Sequence, residues 1–436
     1  MCNSKKHDFV QIHCHDSMSN LDGCAKVENI IKRAKEFGHK ALATTNHGSP
    51  GILYSFAKEC KKNNIKPILG LEFYITNDLQ SRVSNKGREF DDKDYHQSIY
   101  IKDKEGYKNF NYLTYVSFTD GYYYKPRIDF DLLFSKSKGL MATSSCIASK
   151  FNQLITVGRI KEAEELFLKF RNHFGDDFYG EIQFNELNDK SVYGIDQRSN
   201  NQVIIDLCNR YDVPIMIGGD VHYLDKGDAE LQDAVINSKR QAKEGEEGFK
   251  IHARHLYFHD TSDYYDFNKK FDYNYDEKFL EQCFENSVKF SEKVNFEFET
   301  GKQHVPKIKI GNTDPKDFIE EKTWEGLVKR IEVDRKYFPD SYSNEDIEKL
   351  EKQTEYELKV INDLGLNDYM LVVYDIIKWC KENNVYVGPG RGCFLPGSMV
   401  NLSNGLKVRI EDIKNGDKIA NYFSKIGNVI NTLFMI

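Results

Sequence analysis

The sequence lacks the long apolar runs, the paired cysteines and the excess of positive charge that mark several common classes of protein. Its longest apolar stretch, from Tyr369 to Cys380, is interrupted by Asp375 and Lys378, so it falls short of the ~18 apolar residues that a membrane-spanning helix needs. The nine cysteines form no CxxC pair, which argues against a disulfide framework and against a zinc ribbon. With a net charge of −7, the chain as a whole does not attract nucleic acid, and any such contact depends on a local patch.

The 436 residues are enough for roughly two to four domains. The N-terminus runs directly into a strand-like segment, without the apolar core and cleavage site of a secretory signal. We therefore expect a protein of the cytoplasm with no membrane partner.

Strand-like and helix-like segments alternate over the first half of the chain. Residues 9–13 are typical of a strand, and apolar residues at helical spacing follow them as far as Gly38. Further strands are predicted at 41–45, 65–75 with an interruption at Gly70, 97–101, 139–143, 178–184 and 213–218, and helices at 52–62, 161–173 and 202–208. This α/β alternation predicts a parallel sheet, open or closed, and about seven such units before residue 225 favour a barrel.

The second half has a different pattern. Residues 265–350 read as a mostly helical connection, and a helical stretch over 355–384 leads to a predicted strand at 385–387. After Cys393 the residues alternate like short strands around a Ser-Asn-Gly turn at 403–405.

Residues that can bind metal follow several of the predicted strands. His13 and His15 lie two apart in an extended segment, so both rings face the same side. In a (βα) barrel the carboxyl ends of all strands open on one rim, where residues distant in sequence meet. The full set is His13, His15, Asp22, His47, Glu72, His96, Cys146, Asp220 and His222.

This mixture of nitrogen, oxygen and sulfur donors suits zinc and related divalent ions, and it is large enough for two or three of them. Ions held about 4 Å apart activate a water and neutralise the oxygens of a phosphodiester. The pattern therefore predicts phosphoester hydrolysis. Taken alone, a histidine at a strand end is usually a structural hydrogen-bonding group, and it is the joint pattern of the nine residues that favours a metal site.

Five segments carry a resemblance to a known family: residues 13–23, 44–48, 66–73, 122–128 and 220–224. They resemble the PHP (polymerase and histidinol phosphatase) domain and, more specifically, the N-terminal part of the bacterial DNA polymerase III alpha subunit family. The resemblance spans residues 9–392 and implies a distorted (βα)7-like PHP barrel over 1–265 and the N-terminal part of an α+β palm over 266–392.

The resemblance also implies a function for the nine residues. They match the family's ligand set, which implies zinc or manganese at the site and metal-dependent 3′-5′ exonuclease action. Relatives that have lost ligands retain the domain only as a scaffold, so a non-catalytic scaffold and a stand-alone phosphoesterase or nuclease remain alternatives. One departure is Asn46, where the family usually has Asp. A neutral amide there would orient His47 less strongly.

The pentapeptide 388–392 combines glycines, whose backbone N–H groups can approach phosphate oxygens, with an arginine whose donors match them. Alone it is an ordinary Gly/Pro turn. Within the resemblance, Gly388, Gly390, Arg391 and Gly392 begin the segment that binds nucleoside triphosphates. The family's next residues and its magnesium-binding aspartates have no counterpart here, so we expect polymerase activity on DNA and deoxynucleoside triphosphates, with magnesium and other replisome subunits, only once a C-terminal part completes the chain.

The segment 393–436 resembles the first block of an intein. Cys393 would attack the carbonyl of Gly392 in an N-to-S acyl shift, a step suited to the nucleophilic thiol. Because the segment is too short for a whole splicing domain, we expect a split or truncated intein, completed in the first case by a partner chain. The alternative is an ordinary loop cysteine before an unrelated hairpin.

Overall fold

The computed structural model describes residues 7–19, 22–82, 89–240, 248, 250–301, 307, 310–311, 313–387, 399–401 and 407–409. Two compact units divide the chain, residues 1–299 and residues 300–436. The boundary predicted at residue 265 falls inside a helix, Thr261–Lys270, and the first unit continues to Glu299. The boundary predicted at 392 lies outside the described residues.

The first unit is an α/β structure built on one curved sheet. Its strands are β1 Ala41–Thr44, β2 Lys66–Thr76, β3 Tyr95–Ile101, β4 Arg127–Asp129, β5 Leu140–Thr143, β6 Phe178–Ile182 and β7 Ile215–Ile217. The order is β1-β2-β3-β5-β6-β7, and β4 pairs separately with β2. The helices are α1 Val27–Glu36, α2 Leu53–Lys62, α3 Lys104–Phe118, α4 Phe130–Ser135, α5 Lys150–Thr156, α6 Ile160–Phe174, α7 Lys190–Tyr193, α8 Gln197–Tyr211, α9 Ala229–Arg240, α10 Thr261–Lys270 and α11 Glu277–Lys293.

Helix α1 shows how the sequence pattern becomes structure. Val27, Ile30, Ile31 and Ala34 recur at helical spacing and all four are buried. The helix ends before Gly38, which has a φ of 78°, a conformation that glycine adopts without steric cost. The predicted helix and the strand β1 that follows it are confirmed.

The expectation of an all-parallel sheet is wrong for one strand. β3 runs antiparallel to both β2 and β5, whereas β1–β2, β5–β6 and β6–β7 are parallel. A parallel neighbour requires a crossover connection, usually a helix, and only a three-residue 3₁₀ turn, Phe90–Asp92, is described between β2 and β3. The direction of β3 therefore reverses.

The N-terminal segment joins the two ends of this sheet. The expected continuous strand at 9–13 is instead a pair of parallel bridges, Gln11 with Leu42 of β1 and Cys14 with Val221 just after β7. Backbone hydrogen bonds support both bridges, including Ala43 N–H to Gln11 O at 3.0 Å and His15 N–H to Val221 O at 2.7 Å. The segment thus connects one edge of the sheet to the chain beyond the other.

Apolar side chains fill the interior that the sheet encloses. The N-terminal segment, β1, β2, β3, β5, β6, β7 and α11 all contribute to one buried cluster: Val10, Ile12, Ala41, Ala43, Ile68, Tyr100, Met141, Tyr179, Met216, Phe290 and Val294. Burying one such side chain contributes about 1.5–3 kcal/mol. β2 runs through Gly70 without the predicted interruption, and a Cβ there would lie 2.7 Å from Tyr100 Cδ1, so the glycine leaves room for the tyrosine of the paired strand.

The described part of the second unit is mainly helical, with α12 Pro315–Tyr337, α13 Asn344–Asp363 and α14 Asn367–Glu382 around the buried residues Ile319, Leu358 and Leu371. The predicted strand at 385–387 is wrong: no strand is formed there, and Val385 donates its backbone N–H to Cys380 O at 2.8 Å in the turn that closes α14. The predicted short strands are confirmed as β8 Met399–Asn401 and β9 Lys407–Arg409, which pair antiparallel, and the predicted turn at 403–405 lies outside the described residues. No helix among the described residues combines the length and apolarity that crossing a membrane requires.

Candidate metal centre

The structure brings all nine predicted ligand residues to one rim of the sheet. His47 follows β1, Cys146 follows β5, and Asp220 and His222 follow β7. His96 belongs to the beginning of β3, where it pairs with Tyr74 near the end of β2. Since β3 is antiparallel, its start lies at the same edge as the ends of its neighbours.

Glu72 of β2 lies at the centre of the cluster and is completely buried. One carboxylate oxygen lies 3.4 Å from His13 Nε2 and accepts the thiol hydrogen of Cys146 at 3.0 Å. The other oxygen lies 2.9 Å from His47 Nδ1 and 3.2 Å from His96 Nδ1. A single buried carboxylate therefore contacts groups from four other segments of the chain.

Two further carboxylates complete the cluster. Asp22 Oδ2 lies 3.1 Å from His47 Nε2 and 3.5 Å from His222 Nε2. Asp220 Oδ1 lies 3.5 Å from His15 Nε2 and 3.7 Å from His222 Nδ1. With side chains 22% and 15% exposed, these two aspartates mark the solvent side of the cluster.

The donor set has the chemistry expected of a metal site. Within the described residues, three sets of donors have their atoms within 4.8 Å of one another: His15, His47 and His222; His13, His15 and Glu72; and His47, Glu72 and His96. Because these sets share members, they suit a cluster of ions with bridging ligands.

Several of these donors also lack the hydrogen bonds that buried polar groups normally make. The five atoms are His13 Nε2, His15 Nε2, Asp22 Oδ1, His47 Nδ1 and Glu72 Oε2. The 2.9 Å contact between the last two lacks the alignment of a hydrogen bond. Leaving a buried polar atom unpaired costs about 1–3 kcal/mol, and coordination of a cation would satisfy all five, so the residues present fit divalent metal ions.

The protonation states follow from burial and neighbouring charges. Burial, with the nearby rings of His222 and His47, lowers the pKa of His15 to about 3. Burial alone would also lower the pKa of His47, but Asp22 and Glu72 raise it to about 10. Burial would raise the pKa of Glu72, yet the histidines around it hold that pKa well below its usual range. Ligand atoms must be unprotonated to bind metal, so metal bound at His47 has to displace a proton.

Sequence reasoning missed Glu181, a carboxylate immediately behind the predicted ligands. Its Oε1 lies 2.7 Å from His13 Nδ1, the ring nitrogen opposite the one that faces Glu72, and both side chains are completely buried. Its Oε2 accepts a hydrogen bond from Thr143 Oγ1 at 2.6 Å. Carboxylates in this position fix the orientation of a metal-binding histidine and increase its basicity. The signal in the sequence was a charged residue inside an otherwise apolar strand.

The backbone around the cluster is adapted to it. Asp220 has a φ of 47°, a left-handed conformation that costs of order 1–3 kcal/mol and is commonly found at functional sites. Gly218 is required by close packing, since a Cβ there would lie 2.0 Å from Glu181 Oε1.

Asn46 contacts Asp16 and makes no described hydrogen bond to His47. Its Nδ2 donates to Asp16 Oδ2 at 2.8 Å, and its Oδ1 accepts the Asp16 backbone N–H at 2.9 Å. The backbone of His47 is instead held by Ser19, whose Oγ accepts the His47 N–H at 3.2 Å.

The remaining predicted site residues lie outside the described residues. They are the predicted phosphate-binding residues Gly388, Gly390, Arg391 and Gly392 and the predicted nucleophile Cys393.

Comparison with known proteins gives two family matches. Residues 11–185 match the PHP domain, and residues 317–409 match the bacterial DNA polymerase III alpha NTPase domain. The second match continues past Cys393. The chain is therefore similar to a PHP domain over residues 11–185 and to a DNA polymerase III alpha domain over residues 317–409.

The chain is also similar to curated proteins named DNA polymerase III subunit alpha. The chain is 32% identical over 421 residues to the DNA polymerase III subunit alpha of Aquifex aeolicus, a match that covers 94% of this chain and 34% of that protein. It is 32% identical over 410 residues to the corresponding subunit of Borreliella burgdorferi, covering 93% and 33%. The chain thus spans about a third of the length of these relatives.

Among solved structures, the chain is similar to a two-domain protein of Bacteroides vulgatus described as containing a predicted PHP-like metal-dependent phosphoesterase. The identity is 12% and the TM-score 0.33, with 69% of this chain and 76% of that one covered.

Proposed function

We propose that this chain is the N-terminal portion of a replicative DNA polymerase III alpha subunit, and that its rim cluster binds zinc or manganese and removes nucleotides from the 3′ end of single-stranded DNA. The observation that carries the proposal is the convergence of five buried donor atoms without hydrogen bonds in one cluster of nine potential ligands. In a purely structural core, buried polar atoms of this kind normally have hydrogen-bond partners.

In this proposal each residue of the cluster has a distinct role in phosphodiester hydrolysis. Bound divalent ions would supply an activated water and neutralise charge on the phosphate oxygens. Glu72, buried between several histidines, would help to hold the ions, and Asp22 and Asp220 lie on the solvent side, where a substrate would enter. Glu181 holds His13 in the ring orientation that presents Nε2 to the cluster.

Hydrolysis of 3′-labelled single-stranded DNA by the full chain tests this proposal. His13→Ala should lower both the activity and the amount of bound metal. The loss of activity should exceed the roughly 10–100-fold that follows removal of a residue which only orients a ligand. His252→Ala changes an exposed histidine of the same unit and should change neither. A wild-type chain that binds metal tightly and releases no nucleotides would contradict hydrolysis and favour the scaffold alternative.

DNA polymerisation is proposed only for the protein that results when a C-terminal part completes this chain. The relatives are about three times longer than this chain, and residues 388–392 are proposed to contact the triphosphate of an incoming nucleotide. DNA, deoxynucleoside triphosphates, magnesium and other replisome subunits are therefore proposed partners of the completed polymerase.

We further propose that residues 393–436 act as the N-terminal fragment of an intein that joins this chain to its C-terminal part. The Gly392-Cys393 junction supports the proposal, whereas the paired strands β8 and β9 lie within the segment that matches the polymerase family. Co-expression with a candidate C-terminal chain should give a ligated product that lacks 393–436 and incorporates nucleotides. Cys393→Ala should abolish ligation and Cys380→Ala should not; equal ligation by both variants would contradict splicing.

A further inference from the structure

A tyrosine-rich loop lies directly beside the metal-site cluster. Residues 122–125, here called the tyrosine loop, lead into β4, which pairs with the end of β2. Tyr74 of β2 contacts two of the rim histidines, with ring centroids 6.0 Å from His47 and 5.4 Å from His96. Lys125 Nζ lies 4.1 Å from the Tyr74 centroid. A single aromatic ring therefore separates the tyrosine loop from the rim.

The three tyrosines of the loop have different environments. Tyr123 is anchored, because its hydroxyl donates to Arg82 O at 2.7 Å and the Arg127 guanidinium lies 5.2 Å from its ring centroid. Tyr122 and Tyr124 are 52% and 70% exposed. The anchored Tyr123 thus lies between two largely exposed aromatic rings, in the same loop as the lysine that contacts Tyr74.

The backbone of the loop is held in an unusual conformation. Tyr124 has a φ of 60°, in a region that bulky side chains rarely adopt. The hydrogen bond from Tyr123 N–H to Lys125 O, 3.1 Å long, closes the turn around it. Strain of this kind concentrates at ligand-binding sites, and here it fixes the direction of an exposed ring.

We infer that the tyrosine loop binds single-stranded DNA beside the metal centre, with Tyr122 and Tyr124 stacking on unpaired bases and Lys125 contacting a backbone phosphate. Exposed aromatic rings stack on bases of any sequence, but only on bases that are not paired in a duplex. Because the chain carries a net charge of −7, a local cation is needed to attract the phosphate backbone. That the bound DNA is delivered to a hydrolytic centre rests on the proposed function, whereas the binding of single-stranded DNA to the tyrosine loop does not.

Fluorescence anisotropy with 5′-labelled oligothymidylate tests the inference, using the full chain in EDTA so that no turnover occurs. Each of Tyr122→Ala and Tyr124→Ala should weaken binding roughly tenfold, and the two phenylalanine variants should retain binding because they keep the aromatic face. Lys125→Gln should reduce the slope of log affinity against log salt by about 0.7. Tyr337→Ala, a change at a 69% exposed tyrosine of the second unit, is the control and should leave binding unchanged.

Several results would overturn the inference: absence of binding by the wild-type chain, unchanged binding in the two alanine variants, equal weakening by phenylalanine and alanine, or tighter binding of a duplex or of oligouridylate than of oligothymidylate. Hydrolysis of bis(p-nitrophenyl) phosphate by the metal-loaded wild-type chain tests the proposed function separately. If that hydrolysis is absent while oligothymidylate binding depends on the loop, the hydrolytic function fails and the tyrosine loop stands as a DNA-binding site.

Discussion

Replacing Glu181 with glutamine tests whether the buried carboxylate behind His13 supports metal binding. The substitution keeps the shape of the side chain but replaces one acceptor oxygen with an amide group and removes the negative charge. The charge lies 2.7 Å from His13 Nδ1 with both side chains completely buried, so water cannot substitute for it. Loss of a carboxylate behind a metal-binding histidine costs about 10–100-fold in affinity, which corresponds to roughly 1.4–2.8 kcal/mol.

Competition for zinc with a chelator of known affinity, together with the metal content of the purified protein, measures this loss. Glu164→Gln is the matched control, since it removes a carboxylate on α6 that pairs with Arg210 at 2.6 Å on the protein surface. Urea unfolding of the metal-free proteins separates an effect on metal binding from a general loss of stability. Zinc affinity of Glu181→Gln within twofold of wild type would refute the role assigned to Glu181.

Two further predictions concern packing and pH. Gly218→Ala should lower zinc affinity as Glu181→Gln does and destabilise the fold by about 1–3 kcal/mol, because the new Cβ would lie 2.0 Å from Glu181 Oε1. Zinc affinity and a free energy of unfolding in urea that both equal those of the wild type would contradict this. Burial and the neighbouring His255 lower the pKa of His259 to about 3. Below pH ~6.5 the unfolded chain therefore binds a proton that the folded chain does not. The free energy of unfolding should then fall by about 1.4 kcal/mol for each unit that the pH is lowered, down to pH ~3. His259→Phe should reduce that slope in urea unfolding between pH 7 and 4.5, and an identical slope in the variant would show that His259 is not the group responsible.

The rim position of most candidate ligands could be predicted because strand periodicity and strand order depend on local sequence. His13 and His15 alternate with Cys14 in an extended segment, and the rings contact each other at 5.2 Å between centroids. Asp220 and His222 show the same spacing after β7. In each case the alternation that places the two side chains on one face is contained within a few consecutive residues.

His96 was assigned to the correct rim on an incorrect premise. The predicted parallel sheet placed its ligands at the carboxyl ends of strands, whereas His96 precedes the predicted strand 97–101 and lies at the beginning of an antiparallel strand, opposite Tyr74. The two arrangements place the residue at the same edge of the sheet. Strand direction depends on the connection between β2 and β3 and on pairing across the sheet, which periodicity within a strand does not report.

Glu181 illustrates the part of a site that lies beyond local sequence analysis. Within Phe178–Ile182 it is a charged residue in a strand that is otherwise apolar and fully buried, which signals that some partner must compensate the charge. The partner is His13, 168 positions earlier in the chain, and the two meet only because the N-terminal segment bridges the ends of the sheet. A barrel brings every strand to one rim, so candidate ligands can be inferred from strand ends alone. The groups that orient those ligands from behind lie within the strands, and identifying them requires knowing which strand faces which.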